Sequence, residues 1–329
     1  MMMHRVWTRL LPLGFSLLLA ACAASTSQIG HPLRASDDFL VVMAGREDTA
    51  ETLAAKHLNN PHHAWVIAEF RNGAAIRPGE VVVIPRKPRR PGGISAEGHQ
   101  VVPILTYHDV VQESRSRFTI TADLFEQQLR YLKEHGYVGI TTEDLMRFLQ
   151  YEAPLPPKAV LITIDDGYKS VKTIAAPLLK RYGFPAVFFI YTDFIGGGAN
   201  ALSWTDLRDL KADGFEIQAH SKTHNNLAVP TAREGEGDRQ KNLESEILNP
   251  KQLIQQRLGA DIRYFAYPYG GFSPEVVDRV KSAGYQAGFG AKSGSNPFFA
   301  DRYRLKRYSI FMEKDLTHFI KKLETFVKD

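Results

Sequence analysis

The sequence predicts an α/β protein in which a (β/α) barrel follows a small βααβ unit. After residue 101, short and almost continuously apolar runs alternate with segments of helical periodicity, the pattern of a parallel sheet covered on both faces. The 329 residues suffice for one large domain and a small companion. A stretch rich in proline, glycine and charge, residues 86–100, is the predicted linker between them.

The first residues indicate export. Residues 1–21 combine basic residues with an apolar run too short to cross a bilayer comfortably, which is the composition of a secretory signal peptide. They end in Leu-Ala-Ala directly before Cys22, which resembles the bacterial lipobox and implies that Cys22 is lipidated. Ala23 follows instead of aspartate, which by the same resemblance predicts an anchor on the periplasmic face of the outer membrane. Cys22 is the only cysteine, which excludes an internal disulfide; a buried apolar thiol is the alternative.

The charge pattern argues against nucleic acid as a partner. The formal net charge is only +5 over the whole chain, and the one basic run, Arg86 to Arg90, is typical of a solvated linker. Residues 22–37 are small and polar and are predicted to form a tether. No feature indicates an obligate protein partner.

The small unit is predicted over residues 38–85. Its order is a strand at Phe39–Met43, helix-like segments at Thr49–His57 and Pro61–Phe70, a Pro-Gly turn and a strand at Val81–Ile84. This order is similar to that of the LysM glycan-binding module. The closing strand matches well, and the opening turn matches loosely, with Arg-Glu-Asp-Thr for the usual Gly-Asp-Thr. The resemblance implies glycan binding, and a packing module without a ligand is the alternative.

The large domain is predicted over residues 101–329. Five strands are indicated at Pro103–Tyr107, Ala159–Ile164, Ala186–Tyr191, Phe215–Ala219 and Tyr264–Ala266. Six helices are indicated at Ala122–His135, Thr142–Gln150, Val171–Tyr182, Trp204–Asp213, Gln240–Leu258 and Pro274–Gly284. Active sites of (β/α) barrels lie at the carboxyl ends of the strands, so polar residues there are the first candidates.

Two adjacent carboxylates follow the strand that ends at Ile164. Asp165 and Asp166 are costly to hold beside a buried strand unless each is paired, hydrogen-bonded or bound to a metal ion. Neighbouring side chains at a strand end point in different directions, so one can bind a cation while the other addresses water or substrate. Gly167 permits a sharp turn. Alone, Asp-Asp-Gly would more often cap the helix beginning near Val171.

Two histidines follow the strand Phe215–Ala219. His220 and His224 are four residues apart, so both imidazoles can reach one metal ion, and zinc accepts nitrogen and carboxylate oxygen together. A stray pair of this kind among 11 histidines is weak evidence. Its position at a strand end strengthens it.

A third polar segment surrounds the strand Tyr264–Ala266. Arg263 precedes the strand and a Pro-Tyr-Gly turn follows it. Arginine can orient a carboxylate through two parallel hydrogen bonds, and the turn can expose the backbone N–H of Tyr269. An aromatic barrel rim without chemistry is the alternative.

These segments, in this order, resemble the motifs of the NodB-type polysaccharide deacetylases, carbohydrate esterase family 4. The family pattern is Thr-Phe-Asp-Asp-Gly, then His-Ser/Thr-x-x-His, then Arg-x-x-x-x-Pro-Tyr/Phe-Gly. The chain departs from it only in Ile164, which replaces the phenylalanine. The resemblance implies a distorted barrel of NodB type and hydrolysis of N-acetyl groups on a polysaccharide.

The resemblance also implies a metal centre at the matching positions. Asp166, His220 and His224 would bind a divalent metal ion, with Zn²⁺ favoured and Co²⁺, Ni²⁺ or Fe²⁺ left open. Asp165 would be the general base that takes a proton from the attacking water.

Three more residues receive roles by the same resemblance. Arg263 would orient Asp165, and the backbone N–H of Tyr269 would stabilise the oxyanion. Trp204 would pack against the site as part of the substrate pocket, and a plain core position is its alternative.

The acid that protonates the leaving amine is expected to be one of two histidines. Leu316-Thr317-His318 matches the family's late Leu-x-His motif by letters, but apolar spacing predicts a helix there with His318 beside its buried face. His108 directly follows a strand, and Tyr-His-Asp-Val at that point resembles the poly-N-acetylglucosamine deacetylase branch. We therefore expect His108 to be the acid, with a core histidine as the alternative.

The predicted substrate is an N-acetylglucosamine (GlcNAc) polymer of the envelope or of export: peptidoglycan, poly-N-acetylglucosamine or a chitin-like chain. Three other functions fit part of the pattern. The metal ligands would suit a 2-His-1-carboxylate iron oxygenase, but Asp165 has no role there. A glycosidase needs carboxyl groups on both sides of the bond, and Asp165 and Asp166 are neighbours. An envelope-anchored binding protein would lack a catalytic group, and none is missing.

Overall fold

The computed structural model describes residues 32–71, 73–86, 93–95, 98–113, 116, 119–230, 235–311 and 316–328. The predicted signal peptide and Cys22 lie outside these residues. Within them, no helix has the length and apolar composition needed to cross a lipid bilayer.

The N-terminal unit is a three-stranded antiparallel sheet with two helices. Its elements are β1 (Pro32–Ala35), β2 (Phe39–Met43), α1 (Ala50–His57), α2 (Ala64–Phe70) and β3 (Val81–Pro85). The strand order is β1-β2-β3, and its core includes Val42, Leu53, Ile67, Val82 and Ile84. The predicted strand-helix-helix-strand order is confirmed. The unit begins earlier than expected, because β1 pairs with the edge of β2 inside the predicted tether.

The large domain alternates strands and helices along its length. From its start to the strand that ends at Asp166, its elements are β4 (Ile94–Ser95), β5 (Gly98–Val102), β6 (Ile104–Tyr107), β7 (Asp109–Val111), β8 (Thr119–Thr121), α3 (Ala122–Glu134), β9 (Val138–Gly139), α4 (Thr142–Leu149) and β10 (Ala159–Asp166). They continue as α5 (Ala176–Tyr182), β11 (Val187–Ile190), α6 (Trp204–Ala212), β12 (Glu216–Ala219), α7 (Glu236–Leu258), β13 (Tyr264–Ala266), α8 (Pro274–Ser282) and β14 (Ala287–Phe289). The last are β15 (Asn296–Pro297), β16 (Tyr308–Ser309), α9 (Leu316–Ile320) and β17 (Phe326–Lys328).

The predicted parallel sheet is confirmed, and it is curled. Its strand order is β14-β13-β12-β11-β10-β6-β16, and all of these neighbours are parallel. Leu305, just before β16, bridges to Phe289 in β14 at the other edge. One short segment therefore bonds to both edges of the sheet, which brings the carboxyl ends of all the strands around a common rim.

The sheet is buried on both faces, which explains its near-continuous apolar strands. Every residue of β10 is buried. Ile162 and Ile164 pack into the cluster shared with the outer helices, whereas Leu161 packs with Phe189 and Phe289 in a second cluster inside the curl. This period-2 alternation divides each strand between the two cores.

The helices begin at polar caps that the sequence encodes. The hydroxyls of Thr121, Thr141, Ser203 and Ser273 each accept a hydrogen bond from the backbone N–H three residues later, at the starts of α3, α4, α6 and α8. Gly183 and Gly259 end α5 and α7 in the left-handed conformation.

The chain near both ends of the large domain differs from expectation. The predicted C-terminal helix stops at Ile320, and Phe326–Lys328 instead pairs antiparallel with β5. β4 and the first residues of β5 lie within the predicted linker, so the large domain begins by Ile94. The small sheet of β4, β5, β15 and β17 lies at the amino end of β6, opposite the rim.

Candidate metal and catalytic site

Three predicted ligands come together at the rim. The ligand atoms of Asp166, His220 and His224 lie within 4.8 Å of one another. Oδ1 of Asp166 is 3.2 Å from Nε2 of His224 and 3.7 Å from Nε2 of His220. Asp166 is the last residue of β10 and His220 directly follows β12, as the sequence predicts, while His224 lies four residues further along the loop after β12.

The backbone at this site is strained. Among the described non-glycine residues, six have positive φ, and four of them belong to the site: Asp166 (76°), Ser221 (70°), His224 (64°) and Tyr269 (58°). Such conformations cost of order 1–3 kcal/mol each and persist where the surrounding structure enforces them. Their concentration around one group of side chains indicates a functional centre.

The tautomer of His220 suits a metal ligand. Its Nδ1 donates to the carbonyl oxygen of Ala266 in β13, at 2.8 Å, which leaves Nε2 as the lone-pair nitrogen facing Asp166. His220 is 2% exposed, and this burial lowers the pKa of its imidazole. A neutral imidazole held in one tautomer is the form that binds a metal ion.

Asp166 supplies the test of whether these residues fit a metal. Its Oδ1 is buried and has no hydrogen-bond partner among the described residues. Burial alone would raise the pKa of Asp166, but the imidazoles of His224 and His220 lower it below the ordinary value. An ionised, orphaned carboxylate oxygen facing two imidazoles fits a divalent cation, and two nitrogens with one oxygen suit a catalytic zinc ion.

A buried glutamate that the sequence did not single out fixes the loop between the two histidines. Glu246 in α7 is 2% exposed. Its Oε2 accepts from the backbone N–H groups of Lys222 (3.1 Å) and Thr223 (2.9 Å), and its Oε1 accepts from the Thr223 hydroxyl (2.6 Å). Ser221 Oγ in turn accepts from the N–H of His224 at 2.9 Å. The position of His224 thus depends on the anchored loop.

Asp165, the predicted general base, is held by Arg307. The guanidinium donates from Nη1 to Oδ1 (2.9 Å) and from Nη2 to Oδ2 (2.8 Å), and both residues are 2% exposed. Arg307 also donates from Nε to the carbonyl oxygen of Gly290 (2.7 Å). Burial would raise the pKa of Asp165, but the charge of Arg307, with a contribution from His220, lowers it below the ordinary value. The carboxylate is therefore ionised and fixed in orientation.

The prediction that Arg263 orients Asp165 is wrong. Nη1 of Arg263 donates to Glu143 at 2.8 Å, and its Nε lies 3.4 Å from Asp261. The physical reason is its place in the strand: Arg263 precedes β13, so it lies at the amino end of the sheet, whereas Asp165 lies at the carboxyl end. Arg307 reaches Asp165 from the segment that joins the two sheet edges.

His108 lies close to the two aspartates. It directly follows β6, and its charge contributes to the lowered pKa of both Asp165 and Asp166. Its ring stacks on Phe311 with centroids 5.7 Å apart, and its Nδ1 is buried without a hydrogen-bond partner in the described part of the chain. His318 is exposed on α9, a helix that packs through Phe319. The geometry favours His108 of the two.

Aromatic rings border the ligands. The ring of Tyr269 lies 4.7 Å from that of His224, and the ring of Tyr191 lies 5.0 Å from it. Tyr168 follows Gly167, and burial, with the charge of Asp166, raises its pKa to about 12. Tyr269 is 69% exposed, so its turn forms an open edge of the site.

Trp204 lies at the start of α6, partly buried against the outer core. The guanidinium of Arg257 in α7 lies 5.8 Å from its ring centroid. These contacts match the alternative reading of Trp204 as a core residue. Its predicted role in the substrate pocket stays a prediction.

Comparisons with known proteins identify polysaccharide deacetylases that are similar to this chain. The family model described as polysaccharide deacetylase matches residues 152–288. The Bacillus subtilis protein YxkH is 23% identical over 308 residues, 94% of each chain. The poly-β-1,6-N-acetyl-D-glucosamine N-deacetylase of Staphylococcus epidermidis is 26% identical over 202 residues, which cover 58% of this chain and 67% of that protein.

A solved structure extends the likeness to the fold. IcaB from Ammonifex degensii is 27% identical, with a TM-score of 0.58 over 67% of this chain and 94% of that chain. The large domain therefore has polysaccharide deacetylases as its homologues, both at the level of the family model and at the level of the fold.

Proposed function

We propose that this chain is a metal-dependent deacetylase that removes acetyl groups from a GlcNAc-containing polysaccharide. One observation carries the proposal: Asp165, fixed by Arg307, lies 3.8 Å from Nε2 of His220, one of the three groups able to bind a metal ion. A base is thereby adjacent to a candidate metal centre, which is what hydrolysis of an amide requires.

A divalent ion held by Asp166, His220 and His224 would polarise the acetamide carbonyl and activate water. Asp165 accepts the proton that the attacking water loses, and Arg307 keeps that carboxylate in one orientation. The backbone N–H of Tyr269 donates to the oxyanion that forms when water adds to the acetamide carbon.

The second half of the reaction needs an acid. As the C–N bond breaks, the leaving nitrogen takes a proton from His108, and the products are acetate and a free amine on the sugar. Two observations support this role: His108 directly follows β6, and it contributes to the lowered pKa of both Asp165 and Asp166.

A GlcNAc polymer is the proposed substrate class. The relative in Staphylococcus epidermidis carries the name of a poly-β-1,6-GlcNAc deacetylase, and the βααβ unit has the element order of a LysM glycan-binding module. Residues 1–22, which resemble a signal peptide ending in a lipobox, support the proposal of an exported enzyme that is anchored through lipid to the periplasmic face of the outer membrane. The two alternative enzyme classes, an iron oxygenase and a glycosidase, would leave the buried Asp165–Arg307 pair without a role.

Acetate release is the direct test. The purified protein, loaded with Zn²⁺, should release acetate from at least one of peptidoglycan, chitin oligomers and β-1,6-linked GlcNAc oligomers. No release from any of them under any divalent metal would reject the proposal.

The ligand assignment has its own test. Asp166→Ala, His220→Ala and His224→Ala should each lose bound metal and activity, because three protein ligands leave no redundancy in an open site. His135→Ala is the matched control, since that histidine is exposed on the far end of α3. Stoichiometric metal in all three ligand variants would contradict the assignment.

A further inference from the structure

A cleft lies between the N-terminal unit and the large domain. Its volume is about 310 Å³, within the range of small-ligand sites. One wall comes from the end of α1 and the start of α2, with His57, Asn59 and Trp65, and the other comes from the end of α4 and the following loop, with Arg147 and Glu152.

The cleft is at the opposite end of the barrel from the metal ligands. Arg147 and Glu152 precede β10, whose last residue is Asp166. The eight residues of β10 span about 26 Å at the rise of a β-strand. A ligand in the cleft is therefore a group remote from the reacting acetamide.

The two walls approach each other closely beside the cleft. Nε2 of His63, which also lines it, lies 3.8 Å from Oδ1 of Asp144 in α4. Asp144 is itself fixed, because its Oδ2 accepts from the N–H and the hydroxyl of Thr141. The cleft therefore has anchored polar groups at its junction.

The lining combines an apolar ring with polar groups. Trp65 is partly buried and contributes its indole. Nε2 of His57 is buried and makes no hydrogen bond to any described residue, so the wall holds an unsatisfied polar atom. Arg147, Glu152 and Asn59 add donors and acceptors. A sugar ring has an apolar C–H face and an edge of hydroxyls, and this combination matches both.

Exposed aromatic residues continue the surface beyond the cleft. Tyr151, next to Glu152 in the chain, is 53% exposed and lies 5.1 Å from the ring of Phe298. Phe299 is 63% exposed and lies 5.0 Å from Phe298. Clustered exposed aromatics usually mark an interaction site.

We propose that the cleft and the adjoining aromatic surface bind a second segment of the polysaccharide, distant from the acetamide being hydrolysed. The identity of the sugar rests on the proposed function. One long chain held at two places gains affinity from effective concentration, whereas an oligomer too short to reach both gains nothing. The cleft thus selects long polymers.

The test compares a long GlcNAc polymer with a GlcNAc trimer. Trp65→Ala should raise KM for the polymer by about tenfold or more, with kcat unchanged and with trimer kinetics equal to wild type. Trp65→Phe should recover part of the polymer affinity. Phe70→Ala is the matched control, because Phe70 is an exposed aromatic on the same helix that does not line the cleft.

Two outcomes overturn the proposal: equal polymer KM for wild type and a folded Trp65→Ala, or an equal rise in KM for polymer and trimer. If Trp65→Ala fails to fold, Arg147→Ala on the opposite wall replaces it with the same expectations.

Sedimentation of metal-free protein with the polymer separates this proposal from the proposed function. If the polymer binds wild type better than Trp65→Ala but no acetate is released, the cleft is supported and the proposed activity is rejected. If acetate is released but both proteins bind the polymer equally, the activity is supported and the cleft is rejected.

Discussion

Arg307 and Asp165 form a buried bidentate pair across 142 residues of sequence, with donor–acceptor distances of 2.9 and 2.8 Å. The segment that carries Arg307 also bonds to both edges of the parallel sheet, through Leu305 and through β16. Closure of the sheet therefore places the guanidinium of Arg307 against Asp165, the proposed general base. Fold and chemistry depend on the same short segment.

Replacing Arg307 tests this dependence. Lysine keeps the charge but cannot make two parallel hydrogen bonds, so Arg307→Lys should misalign Asp165 and lower kcat about 100-fold while metal content stays near one equivalent. The pKa of Asp165 should rise, because lysine retains the charge but loses the paired hydrogen bonds that also lower this pKa, so the acid limb of the pH profile should move to higher pH. Pre-steady-state acetate release across pH measures both effects.

Arg263→Ala is the control for that experiment. Arg263 pairs with Glu143 and lies at the amino end of its strand. Its loss should leave kcat and the acid limb unchanged, apart from a small loss of stability. If Arg263→Ala instead behaves like Arg307→Lys, the motif-based assignment is correct and the geometric one is not.

The site residues that the sequence located correctly are those that stand at the end of a locally recognisable apolar strand. Asp165, Asp166 and His220 directly follow or end buried apolar runs, and parallel strands put such positions on one rim whatever the details of closure. Arg307 lacks that signal, because its neighbouring strand β16 is only two residues long and has no periodicity. Which cation reaches Asp165 depends on long-range closure of the sheet.

The C-terminal segment shows the same limit in the fold. Leu316, Phe319 and Leu323 have helical spacing, and α9 uses it only as far as Ile320. Beyond that point the free backbone edge of β5 takes up Phe326–Lys328 as β17. Hydrogen bonds to a distant strand override a local apolar pattern, and periodicity does not encode them.

Glu246 is expected to control metal affinity without touching the metal. Glu246→Ala removes the acceptor for two backbone N–H groups and one hydroxyl in the His220–His224 loop. Metal affinity should fall about 10- to 100-fold, as for other residues that orient ligands. Competition with a chelator of known affinity measures this.

Two variants show whether that loss is specific. Glu246→Gln keeps one oxygen acceptor and should lose less affinity than Glu246→Ala. Glu244→Ala, at an exposed position of the same helix, should bind metal like wild type. A purely structural role for Glu246 would lower the melting temperature of the metal-free protein and leave the metal dissociation constant unchanged.

His108 is the expected proton donor, so its removal should affect turnover and not metal binding. His108→Ala should lower kcat by about two to four orders of magnitude and flatten the alkaline limb of the pH profile at intact metal content. His318→Ala should resemble wild type, because His318 is exposed on α9. Loss of turnover in His318→Ala at full metal content would reverse the assignment.

The junction between α6 and the segment that precedes α5 should make stability depend on pH through Asp206. Its Oδ2 lies 2.6 Å from Nζ of Lys169 and accepts from the N–H and hydroxyl of Ser203, while its Oδ1 lies 3.3 Å from Nζ of Lys172. Burial alone would raise the pKa of Asp206, but Lys169 and Ser203 hold it well below the ordinary value. The carboxylate therefore stabilises the fold in its ionised form.

Asp206→Asn should lower the free energy of unfolding by about 1–3 kcal/mol at pH 7, the range for a hydrogen-bonded charged group. Because the folded pKa lies below the unfolded one, this contribution is complete above about pH 5 and declines as the pH falls from the unfolded value toward the folded one. Urea unfolding of wild type and variant at pH 7 and near pH 3 measures the difference at each pH. Asp209→Asn, an exposed partner of Lys172, should change little at either pH. A gap between wild type and Asp206→Asn that stays constant down to pH 3 would mean that packing, and not the charge of Asp206, stabilises this junction.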